Sequence, residues 1–71
     1  MQYAVVVHPA EEGGYWSEVP TLPGCASQGD TLEETLENTR AAIQQWLAYL
    51  RERGELAPPS RDIVVTIDVA A

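Results

Sequence analysis

The chain has 71 residues, which is enough for one small domain over residues 1–71 and close to the lower limit for folding on a single hydrophobic core. Eleven acidic residues against four arginines give a net charge of −7, which repels phosphate and argues against direct nucleic-acid binding. A lone cysteine excludes an internal disulfide, and the sequence offers no Cys/His cluster for a structural metal, so we expect another chain to support the fold.

The N-terminal apolar segment has the features of a strand and lacks those of a targeting signal. Gln2–Val7 follows Met1 without a basic region and is far shorter than the ~20 residues of a membrane span. A free thiol is typical of a reducing compartment. We therefore expect a cytoplasmic protein with no membrane partner.

The first two predicted strands form a hairpin. Tyr3–His8 is a β-branched run that Pro9 ends, and Tyr15–Val19 is aromatic and alternating. The polar Ala10–Gly14 segment joins them as a loop. Strand periodicity places Tyr3, Val5 and Val7 on one face and Ala4, Val6 and His8 on the other.

A short third strand is predicted after the prolines that follow the hairpin. Cys25–Gln28 follows the Pro23-Gly24 turn signal and precedes Gly29. Because proline cannot donate to a β-ladder, Pro20 and Pro23 indicate an edge position or a bulged entry for this strand.

A long helix is predicted next, with a clear start and a clear end. Thr31 begins it as the cap of a capping box with Glu34, and Gly54 ends it, which gives about 22 residues and about 33 Å. The apolar residues repeat with the helical period. The predicted core stripe is Leu32, Leu36, Ile43, Trp46, Leu47 and Leu50, with Thr39 and Ala42 between them. We expect Trp46, Tyr49 and Leu50 to extend past the end of the sheet, since strands reach only about 17–20 Å.

A fourth strand is predicted at Ile63–Val69, after a proline-containing loop over residues 55–62. The order is β-β-β-α-β, an α+β fold with a three-stranded antiparallel meander and the helix packed on one face. The other face stays uncovered in a monomer, and uncovered apolar faces are association sites. The candidate surface for a partner or for self-association, as a dimer or tetramer, consists of Val6, Trp16, Trp46, Tyr49, Leu50 and Val64.

The candidate catalytic residues have simpler structural explanations. A Cys25 nucleophile would need His8, the only histidine, within hydrogen-bond reach, and the spacing does not bring them together. A lone cysteine in a small domain more often fills a small buried site. Helix capping and solvation account for Glu33, Glu34 and Glu37. We therefore predict no catalytic, cofactor-binding or metal-binding residues, and no enzyme, although a minimal cysteine enzyme remains an alternative.

The segment Gly13–Leu47, GGYWSEVPTLPGCASQGDTLEETLENTRAAIQQWL, resembles the hallmark region of HicB-like antitoxins. In that family a G-G-Y strand leads into P-x-L-P-G-C, a G-D-T/S helix cap and a helix of the form E-E-A-L-x-N-A. Thr35 and Thr39 stand where alanine is usual. The residues that fit the family pattern are Tyr15, Pro20, Leu22, Pro23, Gly24, Cys25, Gly29, Asp30, Thr31, Glu33, Glu34, Leu36, Asn38 and Ile43.

The resemblance implies a partial ribonuclease-H-like domain without a ribonuclease active site. It also implies that the protein neutralises a small basic mRNA endoribonuclease of the HicA type by binding and occluding it, and that it forms dimers or tetramers. The acidic charge suits a basic partner. The alternative is an orphan homo-oligomeric scaffold or interaction module without a toxin partner.

The chain departs from the family pattern at its C-terminal end. Many members carry a helix-turn-helix or ribbon-helix-helix domain that binds operator DNA. Since this sequence ends at Ala71, just after the predicted fourth strand, we expect a stand-alone domain without DNA binding.

Overall fold

The computed structural model describes residues 2–55 and 65–70. A three-stranded antiparallel sheet in the order β1-β2-β3 is followed by one long helix that packs over β3 and β2. This confirms the predicted α+β meander with a helix on one face. The elements are β1 (Val6–Pro9), β2 (Tyr15–Glu18), β3 (Ala26–Gly29) and α1 (Leu32–Glu52).

The β1–β2 hairpin is shorter than its apolar run suggests. The register pairs Val6 with Glu18. If β1 continued back to Tyr3, Ala4 would have to pair with Pro20, which has no N–H to donate. Tyr3 and Val5 pack against the core without belonging to the strand. The hairpin loop closes through the Ala10 N–H, which donates to the Gly14 carbonyl at 3.0 Å.

The corner between β2 and β3 supplies the buried apolar core. Val19, Leu22 and Cys25 are the buried hydrophobic residues of the described chain, at a spacing of three. The Cys25 N–H donates to the Leu22 carbonyl at 2.9 Å across Pro23 and Gly24, and Gly24 has a φ of +90°. Proline followed by a glycine with positive φ is the arrangement of a type II turn. The folded corner therefore buries the side chains of Val19, Leu22 and Cys25 in the core.

Both ends of α1 follow their sequence signals. The Thr31 hydroxyl accepts the Glu34 N–H at 3.0 Å, which confirms the predicted cap. At the other end the Glu55 N–H donates to the Leu50 carbonyl at 2.9 Å, and the Gly54 N–H donates to the Arg51 carbonyl at 3.0 Å. These paired bonds are a Schellman motif, and they need the φ of +75° that Gly54 adopts.

The helix turns a different stripe to the sheet than its leucines predict. Thr35 and Thr39 are buried. Leu32 and Leu36 are exposed, so the prediction that these two leucines belong to the core was wrong. The reason is the close approach of β3 to α1: a Cβ on Gly29 would lie 2.7 Å from the Thr35 backbone nitrogen. Only small side chains fit at such a contact, so threonines occupy it and the leucines lie to its side.

Buried hydroxyls link α1 to β2. The Thr39 hydroxyl donates to the Thr35 carbonyl at 2.6 Å, and the Ser17 hydroxyl lies 2.6 Å from that of Thr39. With the Thr39 proton engaged, Ser17 is the donor between the two hydroxyls. No buried side-chain polar atom lacks a partner in the described part of the chain, so this polar contact is fully satisfied.

The predicted fourth strand is absent from the described residues. Ile63 and Val64 lie outside them, and residues 65–70 carry no strand pairing and are exposed. The alternation of Val65, Ile67 and Val69 indicates a strand, but alternation cannot specify a pairing partner, and a strand forms only where its backbone groups are paired. The sheet of the described chain therefore has three strands.

Candidate functional site

The sheet face opposite α1 is open to solvent. Because Ser17 points toward α1, its neighbours Trp16 and Glu18 point away from it, and the register puts Val6 and His8 on the same side. The outer sheet face is completed by Ala26 and Gln28 of β3. Trp16 is 41% exposed and Val6 is exposed, and both belong to the surface that the sequence predicts for a partner.

An aromatic pair stands at the centre of the outer sheet face. The rings of His8 and Trp16 stack with centroids 4.1 Å apart and planes 18° apart. His8 Nε2 lies 2.9 Å from Glu18 Oε2, which fixes the orientation of the imidazole. Stacking and this polar contact hold the indole in one place, so little conformational entropy is lost when a partner covers it.

An acidic cleft borders this pair where the hairpin loop meets the start of α1. His8 and Trp16 line it together with residues of the loop, the end of β3 and the helix N-terminus. Its lining includes the carboxylates of Glu11, Glu12, Asp30 and Glu34, and no lysine or arginine is among its described lining residues. Four carboxylates around an exposed indole repel phosphate and attract a basic surface.

The remaining candidate surface residues lie away from that face. Trp46 packs against the core and is half-buried, so it is only partly available to a partner. Tyr49 is exposed, with its ring 6.0 Å from that of Trp46, and its hydroxyl accepts a hydrogen bond from Arg53 at 3.0 Å. Leu50 is half-buried beside them, and Val64 lies outside the described residues. The structure thus divides the predicted surface into two separate parts.

Cys25 lies inside the corner between β2 and β3 and lines a groove together with Trp46 and Tyr49. Its side chain is 5% exposed, and burial raises the pKa of its thiol above the usual 9.0. The His8 ring bonds to Glu18 on the outer sheet face, so the base that a cysteine nucleophile requires is engaged elsewhere. This environment disfavours the thiolate, and it supports the prediction of a small buried residue over that of a nucleophile.

The residues that the structure describes form neither a metal site nor a membrane-spanning helix. Over 2–55 and 65–70, no group of three His, Cys, Asp or Glu side chains is placed to hold a metal ion. The helix that the structure describes is not apolar enough to cross a membrane.

Sequence reasoning missed the acidic cleft. Glu11 and Glu12 belong to the hairpin loop, while Asp30 and Glu34 belong to the helix start, and the two segments are about 20 residues apart in the chain. The hairpin register was the available signal, since a loop over Ala10–Gly14 places His8 opposite Trp16 and brings the loop to their end of the sheet.

Comparisons with known proteins agree on one family. The family model described as a HicB-like antitoxin of bacterial toxin–antitoxin systems matches residues 3–70. A UPF0150 protein of Synechocystis is 41% identical over 58 residues, which cover 82% of this chain and 80% of that protein. A UPF0150 protein of Thermoplasma acidophilum is 36% identical over 67 residues, which cover 94% of this chain and 97% of that protein.

A named antitoxin and a solved structure are also similar. Antitoxin HicB 1 of Photorhabdus laumondii is 40% identical over 58 residues, which cover 82% of this chain but 37% of that protein. The crystal structure of TTHA0281 from Thermus thermophilus superposes with a TM-score of 0.72 at 33% identity, covering 92% of this chain and 82% of that one.

Proposed function

This chain belongs to the HicB-like antitoxin family, and we propose that it acts as a non-catalytic antitoxin that binds and occludes a small basic endoribonuclease of the HicA type. The cytoplasm is the compartment that we propose for this role, since the free Cys25 suits a reducing environment. The outer sheet face is the proposed contact surface.

The observation that carries the proposal is the exposed Trp16 bordered by the acidic cleft. A few large residues supply most of the binding energy of a protein interface, and tryptophan is enriched among them. The contacts around such an anchor residue exclude water. Trp16 is such an anchor, held in place by the His8 stack, with Val6 on the same face. The indole supplies apolar area, and the carboxylates beside it supply the charge that selects a basic partner.

The same charges distinguish a basic protein from RNA as the ligand. A ribonuclease that binds RNA needs a positive surface to meet the phosphates. The acidic cleft presents negative charge in the same way as the substrate does, so it complements that surface and competes for it. Occlusion then needs no chemistry from this chain, which agrees with the burial that raises the pKa of the Cys25 thiol.

A ribonuclease assay tests this function. The small basic protein encoded beside this chain, or captured with it from the native cell, is assayed for RNA cleavage with increasing amounts of this protein. We expect cleavage to fall to background at about one equivalent, and the Cys25→Ala variant to inhibit as well as the wild type. Undiminished cleavage at saturating protein would reject toxin neutralisation.

A second candidate function is an oligomeric interaction module without a toxin. The exposed apolar residues of the C-terminal segment, Val65, Ile67 and Val69, favour self-association independently of any toxin. The two functions are separated by the same assay, because a scaffold would associate with itself yet leave every basic ribonuclease fully active.

A further inference from the structure

The hairpin loop lies directly against the end of β3. A Cβ on Gly14 would lie 2.6 Å from the Gly29 carbonyl oxygen and 3.3 Å from the Asp30 Cα, so only glycine allows the two backbones to come this close. This contact brings the loop carboxylates of Glu11 and Glu12 to the helix start, where all of them line the acidic cleft.

The carboxylates of the acidic cleft have no cationic partner in the described chain. None of the four forms an ion pair within residues 2–55 and 65–70. Asp30 and Glu34 lie at the start of α1, where the positive end of the helix dipole stabilises negative charge. Glu11 and Glu12 lie in the loop and lack this support. The loop carboxylates therefore gain most when a cation enters the cleft.

One face of the Trp16 indole remains open beside these carboxylates. His8 is the cross-strand partner of Trp16 on β1, so their stack covers the face of the indole on that side. The other face is on the side of Gln28, its partner on β3. Asn38 borders the cleft there, because its amide nitrogen donates to the Gln28 carbonyl at 2.8 Å. An aromatic face, an amide and carboxylates thus surround one space.

We propose that the outer sheet face binds its basic partner through an arginine side chain, whose guanidinium lies on the open face of Trp16 and donates to the carboxylates of the acidic cleft. This inference rests on the proposed function, since it names the group by which the basic ribonuclease is recognised. A guanidinium is planar and weakly hydrated, so it stacks on an aromatic ring at little cost. Its five N–H donors form a fork that meets carboxylates in pairs.

Other occupants fit this surface less well. A lysine ammonium has the right charge, but it is compact and strongly hydrated, and it has no planar face to lie on an indole. Its three donors also cannot lie in one plane between the loop and the helix start. A second copy of this chain would bring a net charge of −7 toward the four carboxylates, and like charges repel.

A titration of the labelled full chain with small probes tests the arginine contact. The indole N–H resonance of Trp16 is followed by NMR at low salt while N-acetyl-arginine amide, its lysine analogue or its citrulline analogue is added. We expect the arginine probe to bind about 5-fold more tightly than the lysine probe. Citrulline keeps the shape of arginine without the charge, and it should bind about 10-fold more weakly or not at all. Equal binding of arginine and lysine, or an unshifted Trp16 resonance, would overturn the proposal.

Two variants at one exposed position separate the aromatic face from apolar bulk. Trp16→Phe keeps an aromatic ring and should keep the preference for arginine over lysine. Trp16→Leu keeps an apolar side chain, and its affinity for the arginine probe should fall about 5-fold, to that for lysine. Glu37→Gln, which lies outside the cleft, is the control and should bind both probes like the wild type. A preference that persists in Trp16→Leu would contradict the stack.

The ribonuclease assay on the same variants separates this inference from the proposed function. If the wild type stops cleavage and Trp16→Phe and Trp16→Leu inhibit equally well, the arginine contact is wrong and the antitoxin function stands. If the wild type leaves the ribonuclease active although the arginine probe binds, the antitoxin function fails, and the assignment of this arginine to a ribonuclease fails with it. We expect Trp16→Phe to inhibit at lower concentration than Trp16→Leu.

Discussion

Three hydroxyl groups decide how α1 meets the sheet. Ser17, Thr35 and Thr39 are buried at the contact, and each side-chain oxygen has a hydrogen-bond partner. Their small volume allows the close approach at Gly29, and their bonds offset the cost of removing them from water. A buried hydroxyl without its hydrogen-bond partner would keep the cost of removal from water and lose the bond that offsets it. The free energy of unfolding should therefore be sensitive even to isosteric substitutions at these positions.

The Ser17–Thr39 pair yields a prediction for a double-mutant cycle. Thr39→Val keeps the shape but removes the acceptor of the Ser17 hydroxyl, so we expect it to lower the free energy of unfolding by about 1–2 kcal/mol. Ser17→Ala should cost a similar amount, and the double variant about 1 kcal/mol less than the sum of the two. Urea denaturation of the four proteins measures this. Strict additivity would contradict the bond, and Ser27→Ala, expected within about 0.5 kcal/mol of wild type, is the control.

The buried thiol of Cys25 yields a prediction about reactivity and pH. At pH 8 iodoacetamide should modify the folded protein about 100-fold more slowly than the denatured chain, because modification awaits local opening and the raised pKa suppresses the thiolate. A pKa raised by folding means that the folded state holds its proton more tightly. This contribution to stability is therefore complete below the ordinary pKa of 9.0 and is lost as the pH rises through the raised value. Equal modification rates in the two states would contradict the burial.

At the scale of elements, the contact between β3 and α1 gives the sharpest prediction. A Cβ at Gly29 would lie 2.7 Å from the Thr35 nitrogen and 2.9 Å from its hydroxyl, both fixed by the helix. We expect Gly29→Ala to reduce the free energy of unfolding by about 2–3 kcal/mol. Gly13→Ala is the matched control, since its Cβ meets nothing within 4 Å and only its φ of +100° opposes the change, at about 1 kcal/mol. Thermal unfolding in which Gly13→Ala costs as much as Gly29→Ala would contradict the close contact.

The elements differ in how far sequence predicts them. The ends of α1 were predictable because Thr31 and Gly54 act through bonds within their own turns. The buried stripe was predicted only in part, since its position depends on the backbone approach at Gly29, which is a tertiary contact. Thr39, Ala42, Ile43 and Trp46 are buried or pack against the core as predicted, whereas Leu32 and Leu36 are exposed. Strand periodicity correctly placed Val6 and Trp16 on one face, but it could not say whether the run ending at Val69 pairs with this sheet. The sequence thus predicts structure that depends on bonds within one segment, but it does not predict contacts between distant segments.

At the scale of the whole molecule, negative charge and uncovered apolar surface act together. Four of the eleven acidic residues line the acidic cleft, next to the exposed indole of Trp16. A second groove lies between α1 and the segment before β1, where Tyr3, Leu36 and Arg40 line it, and no carboxylate is among its described lining residues. The two grooves therefore differ in charge, and the acidic cleft is the one whose charge suits a basic partner.

The charge of the cleft predicts how association with a basic toxin depends on salt. We expect the association rate constant to fall about 10-fold between roughly 50 and 500 mM salt, because screening weakens long-range attraction. Replacing Glu11 and Glu12 together by glutamine should flatten this dependence. Glu37→Gln, which removes an exposed charge outside the cleft, should leave the slope almost unchanged. Stopped-flow rates that ignore salt would contradict electrostatic selection at the cleft.

The affinity of the Trp16→Ala variant for the basic ribonuclease tests the central claim most directly, since that claim places the contact on the outer sheet face. Calorimetric titration should show a dissociation constant raised about 30-fold or more, the loss expected for an anchor residue. Tyr49→Ala, which removes an exposed ring at the far end of α1, should bind within a factor of about three of wild type. If Trp16→Ala bound as tightly as the wild type while Tyr49→Ala did not, the outer sheet face would not be the binding surface.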